Sequence, residues 1–352
     1  MIGRARRLRL GVVGCGRAFE RGHLPALLRS ADFELTAVYD PSPERAAVAV
    51  AAVPSVRVAR DLPELIDAVD AVLVASPPAT HREITTAVLA GGRGALVEKP
   101  MGASLGDARA IRAAATVSGR VLQVGFVRRF RSPYRRLRDL VSAQGFAHVS
   151  AVSSELAFSP RDWAPVTAYL GRAEGGGDAL HDVATHQVDL LPFILGSAVR
   201  AVRVLARTSN AAGERIRYEL ELEGGLMVEC EASHVGVYHE RLWITTPRET
   251  FVTRAYGLER RAPGRALPSE GWLRVLDRAH LLAARLPGRV SVTEESFAAQ
   301  LAIFARALGG ERIADLPDAD AGLRAHLVLA ACERSARGPG SWELVGDAGE
   351  QG

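Results

Sequence analysis

The sequence predicts an α/β protein with a doubly wound parallel sheet in its N-terminal domain and a second α/β domain after it. Two observations support this prediction. Short apolar strands alternate with helical segments up to about residue 126, whereas after residue 147 several strands follow one another. The chain has 352 residues, and about 150 residues per domain is usual, so we expect two domains, 1–126 and 127–352.

The first domain alternates strand and helix in order along the chain. The predicted strands lie at residues 8–13, 34–39, 55–58, 71–75, 95–98 and 121–124. The predicted helices lie at residues 18–28, 62–68, 80–89 and 105–116, and a further helix opens with Ser42 as N-cap and Pro43 at its first position. This alternation is typical of a parallel sheet that is covered by helices on both faces.

The composition is that of a globular protein. Hydrophobic residues make up 48% and charged residues 24%, and no apolar run reaches the roughly 18 residues of a membrane span. We expect no secretory signal and no membrane partner, and we predict a cytoplasmic protein. The net charge of +4 is spread along the chain without a nucleic-acid-binding motif, which predicts no nucleic-acid partner. Cys15, Cys230 and Cys332 match no disulfide or zinc pattern and are expected to be reduced.

A glycine-rich turn follows the first strand. Gly14 and Gly16, with Arg17 next, stand between that strand and a helix, and the second strand ends at Asp40. This order is typical of a dinucleotide-binding turn, in which the glycines admit the pyrophosphate and the acid takes the ribose hydroxyls. A carboxylate at Asp40 repels a 2′-phosphate, so we predict NAD, with NADP left open by the nearby Arg45.

This turn leaves two questions open. The third position of the dinucleotide pattern is Phe19 instead of glycine or alanine, which predicts looser packing of the helix on the strand or a displaced helix. An ordinary strand–helix turn, in which Asp40 only caps the next element, would show the same pair of glycines.

Only one of the 44 basic residues is a lysine, and it stands at the end of the fifth predicted strand. Open parallel sheets bind ligands at the carboxyl ends of their strands, so Lys99 is expected to point at the nicotinamide end of a dinucleotide. The proton affinity of an amine can be tuned for proton transfer, whereas guanidinium stays charged. Glu98 is expected to orient or pair with the amine. The alternative is a surface lysine at a strand end.

A second cluster of polar residues follows a glycine run at residues 175–177. Asp182 and His186 are four residues apart, which places them on one face of a helix. A carboxylate near an imidazole suits proton transfer at neutral pH, because it can orient the ring or hold the substrate. The alternatives are a purely structural role and a metal bound by these residues with Asp189. Because no further ligand motif accompanies them, we predict no metal.

Together these residues make the chain resemble the Gfo/Idh/MocA oxidoreductase family. The resemblance rests on LGVVGCG from residue 10, SPPATH from residue 76, VEKP from residue 97, VGFVRRF from residue 124 and GGGDALHDVATHQVD from residue 175. It continues through helical regions at residues 295–307 and 319–336 and covers most of the chain. The Glu-Lys-Pro and Asp-x-x-x-His motifs are the specific ones.

The resemblance implies both a site and an architecture. The family's catalytic residues fall on Lys99, Asp182 and His186. The predicted cofactor-binding residues are Gly14, Gly16, Arg17, Asp40, Ser76, Pro77, His81 and Glu98. The second domain would carry a large, mostly antiparallel sheet that also forms homodimers or homotetramers. Strands predicted at residues 147–157, 201–207, 215–222, 226–233 and 241–246 are consistent with this sheet.

The implied reaction is reversible hydride transfer between NAD and a secondary alcohol or ketone of a sugar, cyclitol or nucleotide sugar. His186 would take the hydroxyl proton, and Lys99 would stabilise negative charge on the same oxygen. Asp182 would position a neighbouring hydroxyl or His186. Family members differ over whether the lysine or the histidine is the base, and the sequence leaves this open.

Several further residues are candidates for substrate contact. Arg128, Arg129 and Arg131 follow the last strand of the first domain, and Arg129 is predicted to meet a phosphate or carboxylate, with exposure to solvent as the alternative. Trp163 is predicted to cover the nicotinamide or stack on a sugar, with a buried loop anchor as the alternative. The Arg-rich residues 253–289 match no pattern and are expected to carry substrate identity or subunit contacts.

Two other function classes have to be weighed. A redox-neutral glycosidase would use bound NAD for transient oxidation and elimination, with no net nicotinamide turnover. A non-catalytic dinucleotide-binding regulator is the third class. The presence of Lys99, Asp182 and His186 argues against the regulator, because a sensor needs no acid–base group.

Overall fold

The computed structural model describes residues 6–158, 177–210, 213–236, 238–254, 256–263, 265–266, 268–283, 290–338 and 340–346. Within these ranges the chain divides into two compact units, the first built from residues 6–127 and 293–323 and the second from the others. The boundary after residue 126 stays a prediction, and the contacts add residues 293–323 to the first unit. No helix in the described part of the chain is long and apolar enough to cross a membrane.

The first unit contains a six-stranded parallel sheet. Its strands are β1 (Leu8–Val13), β2 (Phe33–Tyr39), β3 (Arg57–Val58), β4 (Ala71–Val74), β5 (Gly94–Val97) and β6 (Leu122–Val124). They lie in the order β3-β2-β1-β4-β5-β6, and every residue of β4 and β5 is buried. The order reverses between β1 and β4, where such sheets bind ligands at the carboxyl ends of the strands. The predicted doubly wound sheet is confirmed.

Helices connect these strands. They are α1 (a π-helical turn over Phe19–His23 that continues as an α-helix over Leu24–Leu28), α2 (Pro43–Ala52), α3 (Leu62–Ala68), α4 (Pro78–Ala90) and α5 (Leu105–Ser118). The Ser42 side chain accepts a hydrogen bond from the Arg45 N–H, which confirms the predicted N-cap of α2.

Phe19 lies in the apolar core of the first unit. Its ring is fully buried, in the same cluster as Leu10 and Leu27. The expected looser packing or displacement of the helix stays a prediction. The helix takes a π-helical turn at this point.

The second unit contains an eight-stranded sheet. Its strands are β7 (Ala151–Ala157), β8 (Val199–Asn210), β9 (Gly213–Leu222), β10 (Met227–Ser233), β11 (His239–Thr245), β12 (Thr250–Arg254), β13 (Gly257–Arg261) and β14 (Trp342–Leu344). They lie in the order β13-β12-β11-β7-β10-β9-β8-β14. Among the strands of the described residues, β7 and β10 are the only pair in parallel, so the expected mostly antiparallel sheet is confirmed.

Further helices in the described ranges are α6 (Ser132–Gln144), α7 (π-helical over Ala179–Ala184 and α-helical over Thr185–Leu195), α8 (Glu270–Ala283), α9 (Val292–Leu308) and α10 (Ala319–Arg337). Helix α8 lies within the Arg-rich residues 253–289, which match no sequence pattern. Arg241 of β11 forms ion pairs of 2.9 Å with Glu270 and Asp277 of α8, which join that helix to the sheet.

Helix α9 packs in the first unit. The Phe297 ring meets the His23 ring edge-on at 4.6 Å, and the Phe304 ring stacks on Phe33 at 5.8 Å. A Cβ on Gly22 would lie 2.5 Å from the tip of the Phe297 ring. Glycine at this position therefore lets α1 and α9 approach closely.

We expect Gly22→Ala to lower the free energy of unfolding by about 1–3 kcal/mol, because the added methyl group overlaps the Phe297 ring. Alanine otherwise favours a helix by roughly 1 kcal/mol over glycine. Urea denaturation followed by circular dichroism measures the change. Gly106→Ala in α5 is the control, since its Cβ would meet only the Ser104 hydroxyl at 3.6 Å. Equal stability changes in the two variants would contradict this account of the packing.

Candidate active site

The turn after β1 fits a dinucleotide. Gly14 has a φ angle of +91°, and a Cβ there would lie 2.5 Å from the Ser76 backbone nitrogen, so this position requires glycine. A Cβ on Gly16 would meet no atom within 4 Å, so the backbone has an open side there. A pyrophosphate needs this kind of close approach to the backbone. Arg17 follows and is half-buried.

Asp40 joins the end of β2 to this turn. One carboxylate oxygen accepts a hydrogen bond from the Cys15 N–H at 2.8 Å, and the other accepts one from the Ser42 N–H at 2.9 Å. Asp40 therefore also anchors the backbone of Ser42, whereas the N-cap of the next helix is Ser42 itself. Each carboxylate oxygen can accept more than one hydrogen bond, so ribose hydroxyls can still bind. The Arg45 residue is exposed.

Burial and the charge of Asp40 raise the pKa of the Cys15 thiol to about 12. The thiol is therefore neutral at physiological pH, and Cys15 acts as a small buried side chain in the turn.

The loop after β4 is joined to the segment after Lys99 by His81. This residue is fully buried, and its two ring nitrogens lie 2.8 Å from the Ser76 carbonyl and 2.9 Å from the Pro100 carbonyl. The ring thus connects two backbone segments at the edge of the sheet. Pro77 is exposed at the N-cap of α4. Direct cofactor contacts of Ser76, Pro77 and His81 stay predictions.

Lys99 is the second residue after β5 and is half-buried. Its backbone N–H donates to one carboxylate oxygen of Glu98 at 3.1 Å, and the other oxygen lies 2.7 Å from Nε2 of His23. Burial alone would raise the pKa of Glu98, but the His23 hydrogen bond and the charges of His23 and Lys99 outweigh it and lower that pKa. Glu98 is therefore ionised, with Lys99 among its neighbours as expected. Sequence reasoning missed His23, because nothing local marks a partner 75 residues away.

The start of α7 is held by a network of charges. Asp178 accepts hydrogen bonds from the backbone and ring N–H groups of His181, at 2.8 and 2.7 Å, and forms an ion pair with Arg207 at 2.8 Å. Glu214 pairs with Arg207 at 2.6 Å and accepts from the Ala179 N–H at 2.7 Å. These contacts fix the end of the helix that carries Asp182 and His186.

Asp182 and His186 lie on α7, on either side of the end of its π-helical turn. One carboxylate oxygen of Asp182 lies 3.1 Å from Nε2 of His234, just beyond β10. The buried His186 ring meets the Phe158 ring edge-on at 5.7 Å. His234 was absent from the sequence prediction, because its link to Asp182 depends on how α7 packs on β10.

Arg128 and Arg131 are buried and the Arg129 side chain is only 13% exposed, so the solvent-facing alternative is wrong. The Arg129 guanidinium forms two-pronged hydrogen bonds to Asp189, between 2.5 and 3.1 Å. Arg128 and Arg131 both bind the buried Glu240, at 3.0 and 2.7 Å. These pairs give the arginines a structural role of their own, and substrate contact by Arg129 stays a prediction.

Two further predictions concern the loop with Trp163 and the glycine run, and the absence of a metal ion. Trp163 and the glycines at positions 175 and 176 lie outside the described residues. In the described part of the chain, no group of three or more histidine, cysteine, aspartate or glutamate side chains is arranged to hold a metal ion.

Comparison with known proteins identifies both units. Residues 8–126 match the model of an oxidoreductase family with an NAD-binding Rossmann fold, and residues 134–252 match the Gfo/Idh/MocA C-terminal domain. These two matches together cover more than half of the chain. The chain belongs to the Gfo/Idh/MocA oxidoreductase family. The predicted family and the NAD-binding first domain are confirmed.

The names of similar proteins indicate action on cyclitols and sugars. Inositol 2-dehydrogenase of Leifsonia xyli subsp. xyli is 31% identical over 236 residues, which cover 64% of this chain and 66% of that protein. The dTDP-3,4-didehydro-2,6-dideoxy-alpha-D-glucose 3-reductase of Streptomyces violaceoruber is 34% identical over 210 residues, covering 59% and 60%. The matched segments thus span less than two thirds of the length of these relatives.

A solved structure has a similar fold. The WlbA dehydrogenase of Bordetella pertussis, in complex with NADH and UDP-GlcNAcA, has a TM-score of 0.80 at 21% identity. The superposition covers 97% of this chain and 99% of that one.

We expect Asp40→Ala to weaken NAD binding by about 10- to 100-fold, because hydrogen bonds to a charged group are lost. The preference for NAD over NADP should fall as well, since the carboxylate no longer repels a 2′-phosphate. Titration of reduced cofactor fluorescence measures both affinities. Glu44→Ala, which removes an exposed carboxylate from α2, is the matched control and should bind NAD normally. An unchanged cofactor preference in Asp40→Ala would remove this residue from ribose recognition.

His181 should make the stability of the second unit pH-dependent. Burial alone would lower its pKa, but the hydrogen bond and charge of Asp178 and the charge of Glu333 raise the pKa above the ordinary 6.5. A raised pKa in the folded state stabilises the protein fully below about pH 6.5, and this contribution disappears as the pH rises through the folded value.

The free energy of unfolding of wild type should therefore exceed that of His181→Gln most at pH 6, and the difference should shrink toward pH 8.5. Denaturant unfolding at a series of pH values measures this difference. His148→Gln, at an exposed histidine of the same unit, serves as the control. A difference that stays constant over this pH range would show that His181 is neutral in the folded protein.

Proposed function

We propose that this protein transfers a hydride between NAD and a secondary alcohol or ketone of a sugar, cyclitol or nucleotide sugar. The placement of its only lysine supports this most strongly. Lys99 is the second residue after β5, at the carboxyl edge of an NAD-binding sheet, and its backbone N–H donates to the ionised Glu98. Ligands bind at this edge in such folds.

We assign the proton chemistry to three side chains. NAD supplies the hydride acceptor or donor when it is bound. His186 takes the hydroxyl proton of the substrate, as an imidazole can near neutral pH. Lys99 donates a hydrogen bond to the same oxygen and stabilises the negative charge that develops there. Asp182, bonded to His234, positions a neighbouring hydroxyl of the substrate.

The substrate class follows from the same groups and from the relatives. A substrate with adjacent hydroxyls needs several hydrogen-bonding side chains. Asp182 supplies a carboxylate acceptor, Lys99 supplies a cationic donor, and His186 supplies an imidazole. Relatives named as an inositol dehydrogenase and a nucleotide-sugar reductase have substrates of this kind. Hydride transfer therefore takes precedence over the redox-neutral glycosidase.

We also propose a cytoplasmic homodimer or homotetramer. All three cysteines are free and buried, which fits a reducing compartment. Helix α8 exposes Trp272, Val275 and Leu282, and apolar side chains of this size are commonly covered in an assembly. Light scattering during size-exclusion chromatography tests the assembly, and a monomeric mass would contradict it.

The function is tested by incubating the protein with NAD and inositols, free sugars, sugar phosphates or nucleotide sugars while following nicotinamide absorbance. We expect formation of reduced NAD with one of these classes. The reverse reaction is tested with reduced NAD and the corresponding ketones. Absence of turnover in both directions, with NAD binding confirmed, would contradict the proposal. Cleavage of a glycoside without net change in NAD would establish the glycosidase instead.

Lys99→Ala should reduce kcat by about 100- to 1000-fold, because the charge on the reacting oxygen loses its donor. Its affinity for NAD should stay close to wild type, since the dinucleotide turn is intact. Steady-state kinetics and cofactor titration measure the two effects. Arg82→Ala, at an exposed cation of α4, is the control for loss of positive charge. Full activity of Lys99→Ala would remove the lysine from the mechanism.

A further inference from the structure

His23 and Glu98 form a buried pair in the first unit. Nε2 of His23 lies 2.7 Å from Glu98, and the His23 side chain has no exposed surface. His23 stands in the π-helical turn of α1, whereas Glu98 follows β5. The pair therefore joins the helix after the dinucleotide turn to the segment between β5 and Lys99.

Glu98 also contacts the backbone of Lys99. Its second carboxylate oxygen accepts a hydrogen bond from the Lys99 backbone N–H at 3.1 Å. A carboxylate that stays ionised when largely buried needs positive or hydrogen-bond-donating partners, and removing one of them is costly. His23 and Lys99 are the neighbours whose charges favour the ionised form. The orientation of Glu98, and with it the backbone at Lys99, thus depends on His23.

The packing around the pair leaves little freedom. A Cβ on Gly125 would lie 2.9 Å from the Glu98 carboxyl carbon and 3.0 Å from its Cα. On the other side the Phe297 ring meets the His23 ring edge-on at 4.6 Å. A close-packed environment of this kind transmits a shift of one side chain to the next.

We propose that His23 is a positioning residue for Lys99, acts through Glu98, and couples the cofactor-binding turn to the lysine. Helix α1 begins directly at that turn, where the Glu20 N–H donates to the Gly16 carbonyl at 2.9 Å. A change at Gly16 on binding NAD therefore reaches His23 within the same helix. The inference rests on the proposed catalytic role of Lys99, and its test includes a measurement that needs no substrate.

The single lysine makes this measurement specific. Reductive methylation with carbon-13 formaldehyde labels Lys99 and the N-terminal amine only, so one side-chain NMR signal reports on Lys99. In wild type we expect a signal displaced from that of an exposed dimethyl-lysine, and a further shift when NAD is added. In His23→Leu the signal should move toward the exposed position and respond less to NAD, while NAD binding itself persists.

Two further variants separate positioning from simple loss of stability. His23→Gln retains an N–H donor near the position of Nε2 and should restore the wild-type signal. Glu98→Gln keeps the shape of the side chain but removes its charge, and it should behave like His23→Leu. His239→Leu is the matched control, because it breaks a similar 2.7 Å pair, with Glu155, in the second unit. Its Lys99 signal should be that of wild type.

With an oxidisable substrate in hand, His23→Leu should lower kcat by about 10- to 100-fold, as a displaced catalytic group does, with little change in the KM for NAD. A wild-type Lys99 signal and NAD response in both folded variants, His23→Leu and Glu98→Gln, would overturn the proposal. If His23→Leu does not fold, the Lys99 signal and NAD response of Glu98→Gln alone test the proposal. A wild type without substrate turnover would contradict only the proposed function, because the NMR comparison remains.

Discussion

The cost of burying an ionised carboxylate governs how the functional residues of this protein are held. Removing a charge from water is unfavourable unless donors or cations surround it, so each buried acid requires a fixed set of partners. Glu98 has the His23 ring and the Lys99 backbone N–H, and Asp40 has the Cys15 and Ser42 N–H groups. In the first unit these partners define where the dinucleotide turn and the lysine lie.

The second unit follows the same rule with arginine as the main partner. Glu240 binds Arg128 and Arg131 and accepts hydrogen bonds from Tyr134 and Tyr238. Burial alone would raise its pKa, but the charges of the two arginines and the hydrogen bonds from Arg128 and Tyr134 hold that pKa well below the ordinary range. The Arg128 guanidinium lies 5.3 Å from the centre of the Phe158 ring, and that ring meets His186 edge-on. The orientation of the candidate base is thus supported by a network whose centre is a buried acid.

Helix α1, which carries His23, and helix α7, which carries Asp182 and His186, both begin with a π-helical turn. In α1 this turn contains Phe19 and His23, and in α7 it contains Asp182. A π-helical turn accommodates an additional residue and rotates the side chains that follow it, and such turns occur frequently at functional sites. The buried Phe19 and Asp182, which lies 3.1 Å from His234, are both residues of these turns.

The sequence by itself determined the doubly wound sheet, the strands of the second sheet up to β11, the glycine turn, and the candidates Lys99, Asp182 and His186. These features depend on patterns within a few residues, such as apolar runs, caps and motif spacing. Only the tertiary structure decided which side chains pair with one another. His23 meets Glu98 across 75 residues, Asp182 meets His234 across 52, and Arg128 meets Glu240 across 112. No local pattern encodes such pairs, because each depends on the path of the whole chain and on the requirement that a buried charge be paired.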